Sequence, residues 1–357
     1  MPSRLLAGGG PGSPDPRVLR ALVTPLIGQF DPDFTAIMDQ VMQLARGTFL
    51  TRNARCFPVS GLAAAGLEAL LNTLVEPGDR VAIGGGPSFV ADTAEVARRY
   101  GADVVASDEF GSQPTPKLVV VPLVDATSGT HFNVRDLANA TRAAGARLIV
   151  EATHALGCLE LRVDDWQIDA CVAGVDHALG APSGMALVTY TSEVEAIMHA
   201  RRWPPRTSYL DLLQVQAYWS AERLNHHTAP TSLVYGLREA LRLVKQEGLD
   251  KSWSRHLRVG QALRAGLEAL DLEVGGDPPY AVVRLPGGQD EASARRKLLD
   301  LFGIHVRRVA SETWGIGLLG ADARLDRVIR VLTGIQEVLG RRQSVAVSAA
   351  IDAYGSE

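Results

Sequence analysis

The sequence lacks the features that mark membrane-spanning, disulfide-linked and polyanion-binding proteins. No apolar run approaches the roughly 20 residues that a membrane-spanning helix needs, and the first residues lack the apolar core of a secretory signal. The three cysteines, Cys56, Cys158 and Cys171, are an odd number without CxxC spacing, so we predict buried thiols. A net charge of -4 provides no basic field for nucleic acid or an anionic membrane. We therefore expect a cytoplasmic protein with a small-molecule substrate, no nucleic-acid or membrane partner, and no metal site.

What is present is enough apolar sequence for two cores. The 357 residues are 46% hydrophobic and 21% charged, which suits one large domain and a smaller one. Apolar strand candidates alternate with helical patterns, and this rhythm predicts an α/β fold with a mostly parallel sheet between helices. The strand candidates are 80–84, 103–107, 118–122, 147–151, 169–173 and 185–190. The helical patterns between them are 61–75, 89–100, 134–144 and 193–202.

The C-terminal part of the chain predicts a smaller α+β domain. A long helical run begins near Thr231 and leads into strands near 281–285 and 304–309, followed by a last helix near 322–340. The predicted organisation is an N-terminal arm at 1–20, a large domain at 21–250, a small domain at 251–342 and a tail at 343–357.

Polar residues directly follow several of the predicted strands. In open parallel sheets the ligand crevice lies beyond the carboxyl ends of the strands, so these residues are expected to meet there. The alternative is that they cap the helices that follow. The residues are Asp125 with Thr127 and Ser128, Glu151 with His154, and Asp176 with His177.

Short segments spread over the chain resemble one enzyme family. The segments are TPLIGQ at 24–29, TRN at 51–53, VSG at 59–61, SYLDLL at 208–213, HHTAP at 226–230 and WGIGLLG at 314–320. In this order and spacing they resemble the class V, fold-type I aminotransferases of the alanine–glyoxylate and serine–pyruvate group, which use pyridoxal phosphate (PLP). The resemblance implies the fold-type I architecture and a homodimer whose site is completed across the interface.

The resemblance also places a histidine where the family has its cofactor-binding lysine. Residue 177 is His177, and imidazole cannot form the covalent bond that a lysine amine makes with PLP. Asp176 stands where the family has a Gln or Thr that helps to hold the phosphate, and an aspartate repels that group. None of the four lysines is placed to substitute: Lys117, Lys245, Lys251 and Lys297.

Other cofactor-pocket positions are retained in part. Phe89 falls where the family places an aromatic ring against the pyridine, and Glu151 falls where an aspartate pairs with the pyridine nitrogen. Ser60 and Gly61 begin the phosphate turn, but the turn continues as LAAA at 62–65, which offers no side-chain donors. Helix N-terminal amides can still bind an anion there.

The remaining pocket positions belong to the dimer interface. The family sends a tyrosine and a threonine across that interface to the phosphate, and this chain has Asn225 and Thr228 there, with His226 beside them. Only the threonine is retained.

The substrate-carboxylate clamp also differs. The arginine of the family's WRIG segment is Gly315 here. Arg307, which is followed by Arg308 in the segment that borders the family's substrate entrance, is expected to supply a new anion anchor. The alternative is that this arginine pair is solvated.

We therefore predict a diverged aminotransferase-fold enzyme that has lost transamination and binds no cofactor. His177 is expected to act as general acid or base on a small carbonyl or carboxylate metabolite, in an isomerisation, dehydration, cyclisation or condensation. Glu151 or Asp176 orients the imidazole and His154 assists. One alternative is an aminotransferase-family enzyme that binds PLP or its amine form, pyridoxamine phosphate (PMP), noncovalently with His177 as the base. Another is a noncatalytic binding protein with the same fold.

Overall fold

The computed structural model describes residues 4–106, 114–341 and 345–356 of the chain. The strands are β1 (Leu5–Leu6), β2 (Arg55–Ser60), β3 (Arg80–Ile83), β4 (Asp103–Ala106), β5 (Leu118–Pro122), β6 (Arg147–Glu151), β7 (Ala170–Gly174), β8 (Met185–Tyr190), β9 (Glu273–Gly275), β10 (Tyr280–Arg284), β11 (Ile304–His305), β12 (Arg307–Ala310) and β13 (Thr313–Gly317). The helices are α1 (Pro16–Leu22), α2 (Pro32–Phe49), α3 (Ala63–Leu74), α4 (Pro87–Arg99), α5 (Val134–Ala143), α6 (Ser192–His199), α7 (Leu212–Trp219), α8 (Thr231–Glu247), α9 (Leu249–Glu268), α10 (Glu291–Phe302), α11 (Leu325–Val338) and α12 (Val345–Gly355).

Within the described residues, the larger sheet has seven strands in the order β2-β8-β7-β6-β5-β3-β4. Neighbouring strands from β7 through to β4 pair in parallel, and β8 runs antiparallel to both β7 and β2. The central strands β5 and β7 are buried at every residue, as expected for apolar strands covered by helices on both faces. The predicted α/β class and the strand candidates are confirmed, except that residue 107 of the second candidate lies outside the described residues.

The short antiparallel sheet of the C-terminal part has the order β12-β13-β10-β9 in the described chain. The N-terminal strand β1 pairs in parallel with β11, and Gly8 forms a bridge with Gly317. Residues 345–355, which the sequence assigns to a tail, form α12 and pack along α9. Ala346 and Ala350 of α12 are fully buried. The division into domains at residues 20, 250 and 342 stays a prediction.

The buried apolar residues of the described chain form one cluster around the large sheet and another around the small sheet. The predicted buried thiols are confirmed, because Cys56, Cys158 and Cys171 are free and fully buried. Burial raises the pKa of Cys56 and of Cys158 to about 12, so neither is a thiolate nucleophile near neutral pH. No helix among the described residues is long and apolar enough to cross a membrane.

A histidine holds the turn at Gly320 against the loop that carries residue 177. His256 on α9 accepts a hydrogen bond at Nε2 from the Gly320 amide, at 2.9 Å, and its Nδ1 lies 2.7 Å from the Ser252 carbonyl. Gly320 has a φ of +58°, and a Cβ there would lie 2.9 Å from the carbonyl oxygen of Ala178. The close approach therefore needs glycine, and His256 keeps its amide satisfied.

We predict that His256 makes the protein less stable as the pH falls. Burial lowers the pKa of His256 to about 4, from an ordinary value of 6.5. Between these values the unfolded chain binds a proton that the folded chain does not, so the free energy of unfolding decreases as the pH falls from about 6.5 to about 4. This histidine accounts for about 2 kcal/mol between pH 7 and pH 5.

The measurement is urea unfolding at pH 7 and pH 5 for the wild type and for His256→Gln, whose amide oxygen can replace Nε2 as the acceptor. We expect a smaller pH dependence in the variant. The matched control is His199→Gln, because His199 is 61% exposed. An equal pH dependence in His256→Gln and the wild type would contradict the assignment.

Candidate active site

The carboxyl ends of β6 and β7 bring four predicted site residues together. Glu151 is the last residue of β6, and His154 lies three residues further on. Asp176 and His177 follow β7 directly. The imidazole rings of His154 and His177 are 4.5 Å apart between centroids and meet edge to face. The structure therefore assembles a carboxylate and imidazole cluster at this edge of the sheet, while the chemical role of each member stays a prediction.

Glu151 is held by the residue two positions after it. Its Oε1 accepts a hydrogen bond from the Thr153 amide at 2.8 Å and another from the Thr153 hydroxyl. The same hydroxyl accepts from the amide of Gly174, which ties the end of β6 to the end of β7. Burial raises the pKa of Glu151, and the Thr153 hydrogen bonds and the charge of His177 oppose that shift. The carboxyl group is thus fixed and poorly solvated, and sensitive to any cation placed beside it.

Asp176 sets the orientation of His177. The Nδ1 atom of His177 lies 3.1 Å from Oδ1 of Asp176, and the Ser183 hydroxyl donates to Oδ2 at 2.6 Å. The hydrogen bond with His177 lowers the pKa of Asp176 to about 2; burial opposes the shift and the Ser183 hydrogen bond adds to it. Because Asp176 is then an anion that only accepts, we assign the imidazole proton to Nδ1. In the neutral form of the ring the lone pair is then on Nε2.

The N-terminal arm covers the imidazole ring. The Gly12 amide donates to the Asp176 carbonyl at 2.7 Å, and Gly10 lies against the ring of His177. A Cβ at Gly10 would overlap Cδ2 and Nε2 of that ring. The side chain of His177 is consequently only 15% exposed in the described chain, so the arm limits its contact with water.

His154 is a neutral group in this cluster. Burial lowers its pKa to about 3, and the charges of His177 and Arg307 act in the same direction. The hydroxyl of Tyr280 donates to the His154 carbonyl at 2.6 Å, and the two rings lie 5.7 Å apart between centroids. Nδ1 of His154 is buried without a hydrogen-bond partner among the described residues. His154 is therefore available for hydrogen bonding and is a poor proton donor near neutral pH.

The turn before α3 forms an open helix N-terminus. Ser60 and Gly61 precede the helix, and Gly61 has a φ of +134°. The N-cap residue, Leu62, makes no side-chain hydrogen bond. The amides of Ala63 and Ala64 lie in the first turn, where no intrahelical acceptor is available, so they can bind an anion.

The carboxylate of Asp176 lies beside this helix start. A Cβ at Gly174 would be 3.2 Å from Oδ1 of Asp176 and 3.4 Å from Cβ of Ala63. An anion that binds the amides of α3 therefore meets a fixed negative charge from the loop after β7.

Phe89 and the residues after β5 form another edge of the crevice. Phe89 is half-buried, and its ring lies 3.1 Å from the Cβ that Gly85 would carry. The amides of Thr127 and Ser128 and the Ser128 hydroxyl all donate to Oδ1 of Asp125, at 2.7–3.1 Å. These donors close a turn around Asp125, and the next helix begins only at Val134, so the site role predicted for Thr127 and Ser128 stays a prediction.

The predicted interface residues lie apart from the histidine cluster within one chain. Asn225 and Thr228 are exposed in the loop between α7 and α8, and Oδ1 of Asn225 accepts from Nε2 of Gln29 at 3.1 Å. Nε2 of His226 lies 3.0 Å from the Ser208 carbonyl. Asn225 thus contacts Gln29, which precedes α2, and His226 contacts Ser208, which precedes α7.

Gly315 and Arg307 lie opposite each other in the register of β13 and β12. A Cβ at Gly315 would be 3.0 Å from Nη2 of Arg307, so the guanidinium lies in the space above this glycine. The N-terminal arm connects Arg307 to the cluster, because Gly8 packs against Arg307 and Gly10 packs against the ring of His177.

Several residues of the site carry no clear signal in the sequence. Tyr280, which supports the His154 backbone, occupies the first position of a short strand in the other domain. Gly10 belongs to the site because it has no side chain: a Cβ at this position would overlap the His177 ring. Thr153 is different, because a hydroxyl residue two positions after a strand-end carboxylate can be expected to cap it.

Comparisons with known proteins identify the family. The aminotransferase class-V family model matches residues 100–308. The (S)-ureidoglycine–glyoxylate transaminase of Bacillus subtilis (strain 168) is 36% identical, in an alignment that covers 99% of this chain and 96% of that protein. The alanine–glyoxylate aminotransferase of Drosophila melanogaster is 30% identical, with 95% and 93% covered. The crystal structure of the ureidoglycine–glyoxylate aminotransferase from Bacillus subtilis superposes with a TM-score of 0.95 at 37% identity, covering 100% of this chain and 99% of that one.

These similarities confirm the fold-type I architecture and correct the predicted chemistry. The prediction of PLP-independent isomerisation, dehydration, cyclisation or condensation is wrong, because relatives that match along almost their whole length are named as aminotransferases. The prediction that no cofactor is bound is wrong for the same reason, since aminotransferases of this family work with PLP or PMP. The relatives are enzymes, which also removes support from the noncatalytic alternative.

Proposed function

The chain belongs to the class-V aminotransferase family, and we propose that it is an aminotransferase that binds PLP or PMP noncovalently, with His177 as the base. The substrates we propose are a small amino compound and a 2-oxo acid of the glyoxylate kind, since the relatives above are named for glyoxylate. The observation that carries the proposal is the imidazole of His177, which Asp176 orients through Nδ1.

We propose that His177 occupies the position of the family's lysine. The sequence from Gly174 to Gly184 resembles the family's lysine loop, with His177 in place of the lysine and Asp176 in place of the Gln or Thr before it. Lys117 is engaged elsewhere, because its ammonium group bonds to Asp79 and to the Leu74 carbonyl near the start of β5. Lys245, Lys251 and Lys297 lie on α8, α9 and α10.

The residues present fit the cofactor. Glu151 provides a poorly solvated carboxyl group that a protonated pyridine nitrogen would stabilise as its anion, and Phe89 provides an apolar wall. The free amides at the start of α3 provide phosphate donors without any side chain. Asp176 is the one opposing charge, and it weakens the hold on the phosphate without removing those donors.

When bound, the cofactor supplies the electron sink that stabilises a carbanion next to the transferred nitrogen. The protein groups move and hold protons. Nε2 of His177 would accept the proton that leaves the substrate carbon and deliver it to the carbon on the other side of the transferred nitrogen, while Asp176 stabilises the imidazolium formed in between. The arm at Gly10 keeps water from the ring. His154 stays neutral and places no second positive charge beside that imidazolium.

We predict that His177→Ala loses turnover and keeps the cofactor. Removing a general base typically costs about 10²- to 10⁴-fold in rate. The measurement is the conversion of bound PMP to PLP by glyoxylate, followed by absorbance, with the PMP dissociation constant determined separately. His199→Ala, an exposed histidine, is the control.

The same preparation tests whether the cofactor is held without a covalent bond. After incubation with PLP and borohydride reduction, we expect the intact protein mass to be unchanged. A reduced PLP adduct on a lysine would overturn the noncovalent assignment. Unchanged turnover in His177→Ala would overturn the role of His177.

We predict that Asp176→Asn binds the phosphorylated cofactor more tightly. Removing the negative charge beside the α3 amides should strengthen PLP binding roughly tenfold, about 1.4 kcal/mol. Pyridoxal, which lacks the phosphate, should gain little. Dissociation constants of both compounds, measured by fluorescence on wild type and variant, give the ratio. An equal change for PLP and pyridoxal would show that Asp176 does not act on the phosphate.

We further propose that the enzyme is a homodimer whose site is completed across the interface. Exposed apolar side chains lie close to the α7–α8 loop and to the start of α3. Leu26 is 68% exposed, Leu224 is 55% exposed and Leu62 is 56% exposed. The hydrogen bond between Gln29 and Asn225 joins the segment that carries Leu26 to the loop that carries Leu224. Large exposed apolar groups on one face are typical of an interface.

We predict that Leu224→Glu separates the subunits. A carboxylate at this position would have to be buried without a partner, which favours the monomer. The measurement is the molar mass in solution by light scattering or sedimentation. The matched control is Leu301→Glu, because Leu301 is 72% exposed on α10 of the C-terminal part. A monomeric wild type, or a variant that remains dimeric, would contradict the proposed interface.

A further inference from the structure

Arg307 carries a charge that its surroundings do not neutralise. Its guanidinium has five donor hydrogens, and the one hydrogen bond it makes among the described residues is from Nη2 to the Ala126 carbonyl. Nε is buried without a partner in that part of the chain. Burial lowers the pKa of Arg307, and the attractions of Tyr280 and Asp125 oppose the shift.

Asp125 does not supply the missing counter-ion. Its Oδ1 is occupied by donors from Thr127 and Ser128. Its Oδ2 is packed against Gly86, where an added Cβ would overlap it. The described residues therefore give Arg307 no ion pair, and a buried, unpaired guanidinium is costly unless an anion binds to it.

The position of this guanidinium depends on the glycine opposite it. Arg307 and Gly315 are paired across β12 and β13, and Val309 closes the other side of the space. Any side chain at 315 would displace the guanidinium, because a Cβ would lie 3.0 Å from Nη2 and 3.2 Å from Nε. Gly8 of the arm packs on the stem of Arg307, where a Cβ would lie 3.2 Å from Cβ of the arginine. The guanidinium is thus held in place by contacts with β12, β13 and the N-terminal arm.

We propose that Arg307 binds the carboxylate of the substrate through the guanidinium that lies above Gly315. The inference deepens the proposed function and rests on it. A planar guanidinium with free donors matches a carboxylate in a two-point contact. The arm links the two groups, because Gly8 packs on the stem of Arg307 and Gly10 packs on the ring of His177, so a small 2-oxo acid or amino acid held by Arg307 lies close to the proposed base. The substrate class is therefore a short compound with a carboxylate adjacent to the reacting carbon.

The experiment measures carboxylate binding directly, without turnover. The probe is glycolate, a stable analogue of glyoxylate, titrated by calorimetry into the purified dimer, with ethylene glycol as the analogue that lacks the carboxylate. We expect glycolate to bind to the wild type and ethylene glycol not to bind. Arg307→Met should weaken glycolate binding at least about tenfold, and Arg307→Lys should recover only part of it, because an ammonium cannot make the two-point contact.

Two further variants separate this role from a structural one. Arg308→Met is the matched control, because Arg308 is the next residue on β12 and its side chain is 57% exposed. It should bind glycolate as the wild type does. Arg307→Ala combined with Gly315→Arg should restore binding, since the new guanidinium enters the same space from the opposite strand. Thermal unfolding of each variant reports whether it folds.

The outcomes for Arg307 and for the proposed function are distinguishable. If wild type transfers amino groups but Arg307→Met and Arg307→Lys bind glycolate normally, the anchor is wrong and the function stands. If glycolate binding depends on Arg307 but wild type transfers no amino group from PMP, the anchor stands and the proposed function fails. Equal loss of glycolate binding in Arg307→Met and Arg308→Met would overturn the specific role of Arg307.

Discussion

Parallel pairing of β5, β6 and β7 determines where Asp125, Glu151, Asp176 and His177 lie. Pro122 pairs with Glu151, and Glu151 pairs with Val172, so the three strands end at nearly the same level. Asp125, Glu151, Asp176 and His177 therefore lie at one edge of the sheet. A slip of one residue in β6 would turn Glu151 to the opposite face and remove it from the cluster. The chemistry of the site depends on this register before it depends on any single side chain.

Asp176 has two effects that act against each other. By accepting a hydrogen bond from His177 it fixes the ring and leaves Nε2 free for the role proposed for it. By lying beside Ala63 it also puts a negative charge next to the amides that would hold a phosphate. A neutral residue at this position would hold the cofactor better and orient the imidazole less firmly. Asp176 therefore favours the proposed role of His177 as a base over tight binding of the phosphate.

The sequence predicts the α/β class, the central strands and the cluster of Glu151, His154, Asp176 and His177, because strand-end residues of a parallel sheet must converge. It does not predict that the N-terminal arm covers the His177 ring, because the contact between Gly10 and that ring depends on the tertiary structure. Tyr280 enters from a distant strand for the same reason. The error in the predicted chemistry has another origin: a histidine at the position proposed for the lysine would exclude a covalent bond to PLP, but it would not exclude the cofactor. Similarity along the whole chain corrects that inference, and the local residues alone do not.

The N-terminal arm affects the order in which the protein folds. Leu5 pairs with Ile304 and Gly9 bonds to Gly317, while Gly12 bonds to the backbone of Asp176. The arm can therefore dock only after residues 304–317 have taken their place in the fold. Contacts of such large sequence separation form slowly, because a long loop must close first. The large sheet can form from residues 55–190, but the enclosed environment of the imidazole is complete only when the arm has docked on residues 304–317, so the sheet can form before the site is closed.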